Sequence, residues 1–283
     1  MTTKLYFPSS WGMSQDTLTD LYRKQIGPFD VELVNNPLEA EYVIQQDHSD
    51  EKVPNESKVI FFQREPDHVA QYKPNHPNTV ATYYHSRGQY WLPQTWWLGY
   101  TYNELSALKC PPKTNSVSVV ESGRNALPGH GFRRSIIDRL ITHVPELHVY
   151  GTVCNQMKGD QFKGVLPFRQ KEDAFLNYQY AIVIENGSVP GYFSEKFIDA
   201  ILCWTIPIYW GCSNINEFFP KECYFNLDPF YCTTQVPSII RQDLKAETFI
   251  ALQYARDLIL NKYNLIPTVQ RAIENYENSS KHL

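Results

Sequence analysis

The chain lacks any long apolar segment, since none of its 283 residues lies in a run near the roughly 20 apolar residues that span a bilayer. Its first residues, MTTKLYFPSSWG, contain no apolar signal segment. The six cysteines form no CxxC pair and match no zinc-ligand spacing. These features predict a soluble, cytoplasmic protein with reduced thiols and no transmembrane segment.

A surplus of positive charge is also missing, because 26 Lys and Arg residues stand against 30 Asp and Glu residues. Nucleic-acid binding is therefore not expected. No G-x-G-x-x-G motif follows the first predicted strand, which argues against a dinucleotide-dependent oxidoreductase. No D-x-D sequence is present for a metal-bound diphosphate, and we expect neither a metal nor another cofactor.

Strand and helix patterns alternate along the chain and predict an α/β fold. A polar, proline-containing segment at 109–115, KCPPKTN, is the best linker candidate between two halves. We predict two Rossmann-like domains facing across a cleft, with ligands outside the carboxyl ends of the strands. The predicted boundaries are 1–110 and 111–265 for the domains and 266–283 for a helical tail.

The segment 180–211, YAIVIENGSVPGYFSEKFIDAILCWTIPIYWG, combines a buried strand, a glycine- and proline-containing loop and a helix start. Ser194 stands at the predicted N-cap, and Glu195 and Lys196 lie in the first turn. Free N–H groups at a helix N-terminus attract anions such as a diphosphate, and Lys196 adds a full charge. Glu195 can accept hydrogen bonds from ribose hydroxyls, and Tyr192 can stack on or hydrogen-bond a ligand. Ordinary helix capping produces the same residue types, so this pattern alone leaves both interpretations open.

ENGSVPGYFSEK followed by FIDAILCWTIPIYWG resembles the donor-binding signature of the α-1,3-fucosyltransferase family, which has the GT-B fold. The similarity runs from Glu185 to Gly211 without a gap. Ser194 stands where the family usually has Thr, and Gly187 where it usually has Ser or Thr. The resemblance implies donor-binding roles for Asn186, Tyr192, Ser194, Glu195 and Lys196.

Weaker similarities extend into other parts of the chain. FRRSIID at 132–138 is similar to a family helix in which one Arg contacts the donor diphosphate. Arg133 aligns best by its spacing to Asp138, and Arg134 is the alternative. VIFFQREP at 59–66 resembles the region that carries the family's proposed general base, which implies that role for Glu65.

The acceptor side of the predicted site is less well defined. A surface carboxylate paired with Arg64 is the alternative for Glu65, and Pro66 replaces the family's Ser. YYHSRGQYWLP at 83–93 carries no aspartate, although the family usually has aspartates there. Trp11 belongs to a Trp–Gly pair similar to one in bacterial members. Further candidates for the acceptor side or the base are Asp67, His68, His85 and Trp11.

The resemblance implies an inverting, metal-independent glycosyltransferase that moves a sugar from a nucleotide-sugar to a hydroxyl of a glycan acceptor. The donor implied by the family is GDP-fucose, bound by the C-terminal domain, with the acceptor on the N-terminal domain. The same fold and mechanism with another donor, such as UDP-xylose in a xylosyltransferase, is one alternative. A non-catalytic carbohydrate-binding protein is another, although the complete donor-site set argues against it.

Overall fold

The computed structural model describes residues 2–65, 72–84, 94–124 and 128–281. These residues form strands and α-helices in two compact units. The strands are β1 (Thr3–Tyr6), β2 (Val31–Leu33), β3 (Tyr42–Gln46), β4 (Val59–Gln63), β5 (Thr79–Tyr84), β6 (Asn115–Val120), β7 (Leu147–Tyr150), β8 (Phe162–Gly164), β9 (Tyr178–Ile184), β10 (Ile206–Trp210) and β11 (Phe225–Asn226). The α-helices are α1 (Gln15–Arg23), α2 (Tyr102–Ala107), α3 (Pro128–His143), α4 (Glu195–Leu202), α5 (Cys232–Ile240), α6 (Ala246–Leu258) and α7 (Leu265–Ser280).

The N-terminal unit comprises Met1–Thr95, Thr101–Asn103 and Leu260–Leu283. Its parallel sheet has the order β2-β1-β3-β4-β5. Strands β3 and β4 are buried at every position, as central parallel strands covered on both faces are. The sequence predicts a helix from about 15 to 26 with Ser14 as its N-cap, and α1 begins there because the Ser14 hydroxyl accepts a hydrogen bond from the Thr17 N–H at 3.3 Å.

Helix α7 belongs to this N-terminal unit rather than forming the separate tail that the sequence analysis expected at 266–283. Leu265, Ile266 and Val269 are fully buried in the same apolar core as β1, β3 and β4. The Tyr42 hydroxyl of β3 donates a hydrogen bond to Glu277 of α7 at 2.8 Å. Burial of this apolar helix face joins the end of the chain to the N-terminal sheet.

The C-terminal unit comprises Trp96–Tyr100 and Glu104–Ile259. Its sheet is also parallel and has the order β11-β10-β9-β6-β7-β8. Strand β6 lies between β7 and β9, so the strand order reverses there. Glu121 follows β6 and Glu185 follows β9 at this reversal. Ligands of such sheets bind outside the carboxyl ends of the strands at this point.

The predicted linker at 109–115 is fixed within the C-terminal unit. The Lys113 ammonium donates hydrogen bonds to the carbonyl oxygens of Leu176 and Cys203, both at 2.8 Å, and to the Thr205 hydroxyl at 3.2 Å. Burial lowers the pKa of Lys113 to about 8. The segment therefore lies inside the C-terminal unit, which contains residues 104–259, and not at a boundary between the two units.

Several elements differ from the sequence expectations. The sequence pattern at 172–177 predicts a short helix, but the structure has only a 3₁₀ turn, Glu172–Ala174, because β9 begins at Tyr178. Apolar periodicity predicts a mostly helical stretch from 246 to about 277, and the structure interrupts it with a π-helical turn, Ile259–Tyr263. Helices α2 and α5 and strands β8 and β11 were not predicted; α5 contains Pro237 and has no side-chain N-cap, which weakens its sequence signal.

Two further observations concern the membrane and the cysteines. Among the described helices, none has the length and apolar character required to cross a membrane. All six cysteines are free thiols, and four of them are buried. Burial raises the thiol pKa of Cys212 to about 11, so this thiol is protonated at neutral pH.

Candidate functional site

The loop between β9 and α4 is anchored by a buried carboxylate. Glu185 is completely buried, and its two carboxylate oxygens accept hydrogen bonds from the Ser194 N–H at 2.8 Å and the Ser194 hydroxyl at 2.6 Å. Gly211 lies against this group, since a Cβ added there would be 2.4 Å from Cγ of Glu185. The end of β9 and the start of α4 are thus held together by one side chain.

Lys196 lies at the centre of the first turn of α4. Its ammonium is 3.5 Å from Glu185, 3.1 Å from the Ser194 hydroxyl and 3.2 Å from Glu195. Its side chain is 23% exposed, so the ammonium is accessible from solvent. The N–H groups of the first turn and this cation both favour an anion at the helix N-terminus.

Ser194 caps α4 as the sequence predicts. Its backbone is extended, and its hydroxyl accepts a hydrogen bond from the Lys196 N–H at 3.3 Å while donating to Glu185. The loop before it is fixed by the Gly191 N–H, which donates to the Asn214 side chain at 2.7 Å. A positive φ of 75° at Gly191 gives this turn a conformation that favours glycine.

Replacing Ser194 with alanine is expected to lower the free energy of unfolding by about 1–3 kcal/mol. The change removes the cap of α4 and takes the hydroxyl donor away from the buried Glu185. Ser194→Thr keeps the hydroxyl and should cost much less. Denaturant unfolding of both variants tests this, with Ser14→Ala as the control for an ordinary exposed cap. A cost for Ser194→Ala no larger than for Ser14→Ala would contradict the role of the bond to Glu185.

Arg133 of α3 is buried against the end of β9. Its Nε–H donates to the carbonyl oxygen of Ile184 at 2.9 Å, and Nη2 donates to the Asn186 side-chain oxygen at 2.8 Å. Nη1 lies 3.9 Å from Glu121. Arg134 points elsewhere, to Asp138 one turn along the exposed side of the helix. Arg133 is therefore the arginine that contacts Asn186 beside the start of α4.

Close packing brings the start of α3 to Asn186. A Cβ on Gly129 would lie 2.2 Å from the Asn186 carbonyl oxygen, so only glycine fits there. His130 follows and is buried. Burial, together with the positive charges of Arg133, Lys196 and Arg124, lowers the pKa of His130. Three cationic side chains thus act on His130, alongside the carboxylates of Glu121 beside Arg133 and Glu185 beside Lys196.

Tyr192, which the sequence analysis gave as a residue that stacks on or hydrogen-bonds a ligand, lies in the loop before α4. Its side chain is only 4% exposed. A stacking contact with a ligand needs an open ring face. The low exposure of Tyr192 therefore favours a hydrogen bond over ring stacking for a ligand contact.

Glu195 belongs to a second group of charges that the sequence analysis did not identify. Lys171 lies 3.7 Å from Glu195 and 3.3 Å from Asp199, one turn further along α4. Asp199 is completely buried and accepts a hydrogen bond from the Trp97 N–H at 2.8 Å. The Lys171 ammonium also lies 4.8 Å from the Trp97 ring centroid. The Glu195 carboxylate is thus held between Lys171 and Lys196.

The buried carboxyl of Asp199 should make stability depend on pH. Burial raises its pKa from 3.8 to about 7, although the positive charge of Lys171 opposes the shift. The folded-state pKa exceeds the unfolded one, so the protonated carboxyl favours the folded state. The contribution of Asp199 to the unfolding free energy is therefore fully present below about pH 4 and is lost as pH rises to about 7. We expect Asp199→Asn to flatten the pH dependence of the unfolding free energy over that range. Urea unfolding at several pH values tests this, and an unchanged slope in the variant would contradict it.

The N-terminal unit holds the remaining described candidates. Trp11 is 40% exposed, and its indole N–H donates to the Asp47 carboxylate at 3.0 Å. The Glu65 backbone N–H donates to the same carboxylate at 3.3 Å. Asp47 was missed by the sequence analysis. The other sequence candidates on this side lie outside the described residues: Asp67, His68 and His85.

Two parallel-sheet units, with a cationic helix start beyond the carboxyl ends of the second sheet, define an α/β protein of the GT-B class. A crystal structure of an alpha1,3-fucosyltransferase with GDP-fucose has this fold, with a TM-score of 0.56 and 16% identity over 97% of this chain and 90% of that chain. A second alpha1,3-fucosyltransferase structure has a TM-score of 0.57 and 16% identity over 97% of this chain and 89% of that chain. At this identity, the similarity establishes the fold.

The chain belongs to glycosyltransferase family 10 (fucosyltransferase), whose C-terminal model matches residues 110–254. An alpha-(1,4)-fucosyltransferase of Arabidopsis thaliana is 26% identical over 146 residues, 47% of this chain and 35% of that protein. The alpha-(1,3)-fucosyltransferase FucT of Helicobacter pylori is 34% identical over 62 residues, 22% of this chain and 13% of that protein. The chain therefore matches about a third of the first relative's length and less of the second's. The family resemblance in the sequence is confirmed.

Proposed function

We propose that this chain is an inverting glycosyltransferase that transfers fucose from GDP-fucose to a hydroxyl group of a glycan. The observation that carries the proposal is the first turn of α4, where Glu185 and Ser194 hold Lys196 beside the helix N-terminus. An anionic diphosphate is the ligand that this charge distribution favours. Family membership and the alpha1,3-fucosyltransferase structures of the same fold support fucose as the transferred sugar.

In the proposed reaction, a hydroxyl oxygen of the acceptor attacks the anomeric carbon of the donor sugar. The bond from that carbon to the diphosphate oxygen breaks, and its electron pair leaves with GDP. Arg133, Lys196 and the N–H groups of α4 stabilise the charge that develops on the diphosphate, which is the task of a metal ion in other enzymes. We therefore expect turnover without added metal.

The remaining donor groups have simpler roles in the proposal. Glu195 accepts hydrogen bonds from the ribose hydroxyls, because its carboxylate is near the surface and its orientation is fixed by two lysines. Asn186 is oriented by its bond from Arg133, which leaves its amide N–H₂ as a donor to the ligand. For Tyr192, which is 4% exposed, the proposed role is a hydrogen bond from its hydroxyl to the donor.

Glu65 is the proposed base that takes the proton of the acceptor hydroxyl. Its backbone is fixed by the bond to Asp47 at the carboxyl end of β3. A positioned base of this kind contributes about 10²–10⁴-fold to the rate. Trp11 offers an exposed indole for a sugar ring on the same side. Asp67 and His85 are alternatives from the sequence.

A different donor is the second candidate function. The segment 83–93, YYHSRGQYWLP, has no aspartate where the family usually carries them, and this favours a changed sugar pocket. UDP-xylose, transferred by the same mechanism, represents this alternative. Two sugars that differ by one small group bind with similar affinity unless one of them leaves a polar group of the pocket without a partner. Few changes in the pocket are therefore needed to change the donor sugar.

The proposal is tested by following GDP-β-L-fucose and UDP-xylose with the protein by ¹H NMR, with and without a panel of glycan acceptors. We expect release of GDP and, with water as the acceptor, α-L-fucose as the first free sugar. β-L-Fucose as the first product would contradict inversion. Release of UDP from UDP-xylose, without release of GDP from GDP-fucose, would make UDP-xylose the donor in place of GDP-fucose. No release from either donor with any acceptor would contradict the transferase assignment and favour a carbohydrate-binding protein.

A further inference from the structure

A single buried carboxylate connects three parts of the N-terminal unit. Asp47 follows β3 directly, is 1% exposed and has a φ of 52°. Its Oδ1 accepts hydrogen bonds from the Arg64 N–H at 2.7 Å and the Glu65 N–H at 3.3 Å. Its Oδ2 accepts from the Trp11 indole N–H at 3.0 Å. All three partners are donors, so both carboxylate oxygens are needed as acceptors.

The backbone of Asp47 is fixed as firmly as its side chain. Its N–H donates to the Phe62 carbonyl oxygen at 2.8 Å, which continues the ladder between β3 and β4. Residues 64 and 65 follow the end of β4, where the strand ladder no longer holds the chain. The Asp47 carboxylate supplies the acceptor for two consecutive N–H groups there, and it thereby sets the direction in which Glu65 leaves the sheet.

Arg64 reinforces this arrangement from its side chain. Its guanidinium lies 4.7 Å from the centroid of the Trp11 ring and donates to the Gln46 side-chain oxygen at 3.0 Å. The Trp11 ring is therefore held on one edge by Asp47 and against a guanidinium on one face. Trp11, Arg64 and Glu65 depend on the same carboxylate for their relative positions.

Burying a charged carboxylate at this position is energetically unfavourable. Burial raises the pKa of Asp47, which shows that the charged form is disfavoured by the surroundings, although the charge of Arg64 opposes the shift. Buried charges often stabilise a fold no better than apolar replacements. A requirement for fixed geometry at residues 64–65 accounts for the carboxylate better than stability does.

We propose that Asp47 is the positioning residue for Glu65, and that its hydrogen bonds to residues 64–65 hold the base in its catalytic orientation. The inference rests on the proposed function, in which Glu65 takes the proton of the acceptor. It assigns to Asp47 no contact with substrate. The bond to Trp11 fixes the other carboxylate oxygen and thereby the rotation of the carboxylate plane.

Two replacements separate the carboxylate from the backbone conformation. Glycine and asparagine both adopt a positive φ readily, so neither strains residue 47. Asp47→Gly removes all three acceptor contacts, whereas Asp47→Asn keeps one oxygen for the N–H groups of Arg64 and Glu65. We expect kcat for GDP-fucose turnover to fall about 10–100-fold in Asp47→Gly and less than about 5-fold in Asp47→Asn. The KM for GDP-fucose should stay within about twofold in both, because Asp47 acts on the base and not on donor binding.

Asp50→Gly is the matched control and should keep the wild-type kcat, since Asp50 lies on the same loop and contacts His48 at the exposed surface. Wild-type kcat in Asp47→Gly, with turnover lost in Glu65→Gln, would overturn the positioning role while leaving the proposed function intact. An equal fall in Asp47→Asn and Asp47→Gly would also overturn it. An inactive wild-type protein would instead remove the proposed function, and this inference with it.

A second pair of variants keeps the test decisive if Asp47→Gly does not fold. In Asp47→Asn the amide nitrogen must face either the Trp11 indole N–H or the backbone N–H groups of residues 64–65. The amide nitrogen is a donor, so it cannot form a hydrogen bond in either orientation. Trp11→Phe removes the indole donor and lets the amide oxygen face residues 64–65. Positioning through Asp47 therefore makes kcat fall less on Asp47→Asn in the Trp11→Phe background than in the wild-type background. The single variant Trp11→Phe accounts for any contribution of Trp11 to acceptor binding, and an equal or larger fall in its background would overturn the inference.

Discussion

Glutamine at position 65 is expected to lower kcat for sugar transfer by about 10²–10⁴-fold. The amide has nearly the same shape as the carboxylate, so the backbone bond from residue 65 to Asp47 is retained. It cannot take a proton from the acceptor hydroxyl, and the attacking oxygen then loses its base. Steady-state kinetics of Glu65→Gln with GDP-fucose measure this effect, and the dissociation constant of GDP should not change.

Glu51→Gln is the control for a half-buried glutamate of the same unit. Glu51 accepts hydrogen bonds from the Tyr6 hydroxyl and, at 2.8 Å, from the Ser9 N–H, so its loss affects packing and no proposed chemistry. Its kcat should remain near the wild-type value. Normal turnover in Glu65→Gln would exclude Glu65 as the base and make Asp67 the nearest substitute.

Arg133→Met is expected to weaken GDP binding at least tenfold and to destabilise the C-terminal unit by about 3–5 kcal/mol. Arg133 is 5% exposed, and its guanidinium donates hydrogen bonds to the end of β9 and to Asn186. Its removal leaves Glu121 as a buried carboxylate without its nearby positive charge. Calorimetric titration with GDP and denaturant unfolding measure the two effects separately.

Arg134→Met is the matched control, because Arg134 neighbours Arg133 in sequence but pairs with Asp138 on the exposed side of α3. An exposed pair of this kind contributes about 0–1 kcal/mol. Arg133→Lys retains the positive charge and remains informative if the methionine variant does not fold. Unchanged GDP affinity in a folded Arg133→Met protein, or an equal loss in Arg134→Met, would contradict the role of Arg133.

Much of the fold follows from local patterns in the sequence. The strands at 59–63 and 206–210 are almost wholly apolar, and the structure buries all of their residues except Trp210, which is half-buried. The start of α4 is predicted by Ser194 because capping depends on neighbouring residues only. The end of α6 and the place of α7 were not predictable in this way, since the burial of α7 depends on strands more than 200 residues earlier.

The candidate site shows the same division between local and distant interactions. Glu185 lies inside the motif, yet no local pattern predicts that a carboxylate at the end of a strand will accept hydrogen bonds from Ser194, nine residues later. Folding brings Lys171 close to Glu195, and it brings Asp47 close to the backbone of Glu65. Charged residues in loops carry no periodicity, so their partners emerge only with the tertiary structure.

The most direct test of the account is calorimetric titration of the wild-type protein with GDP, GMP and UDP under the same conditions. In the proposed site, Arg133, Lys196 and the N–H groups of α4 stabilise both phosphates of the nucleotide. The nucleobase of the proposed donor is guanine. We therefore expect GDP to bind at least tenfold more tightly than GMP and more tightly than UDP. Equal affinities for GDP and GMP, or the absence of binding by any of the three, would contradict a diphosphate site formed by Arg133 and Lys196.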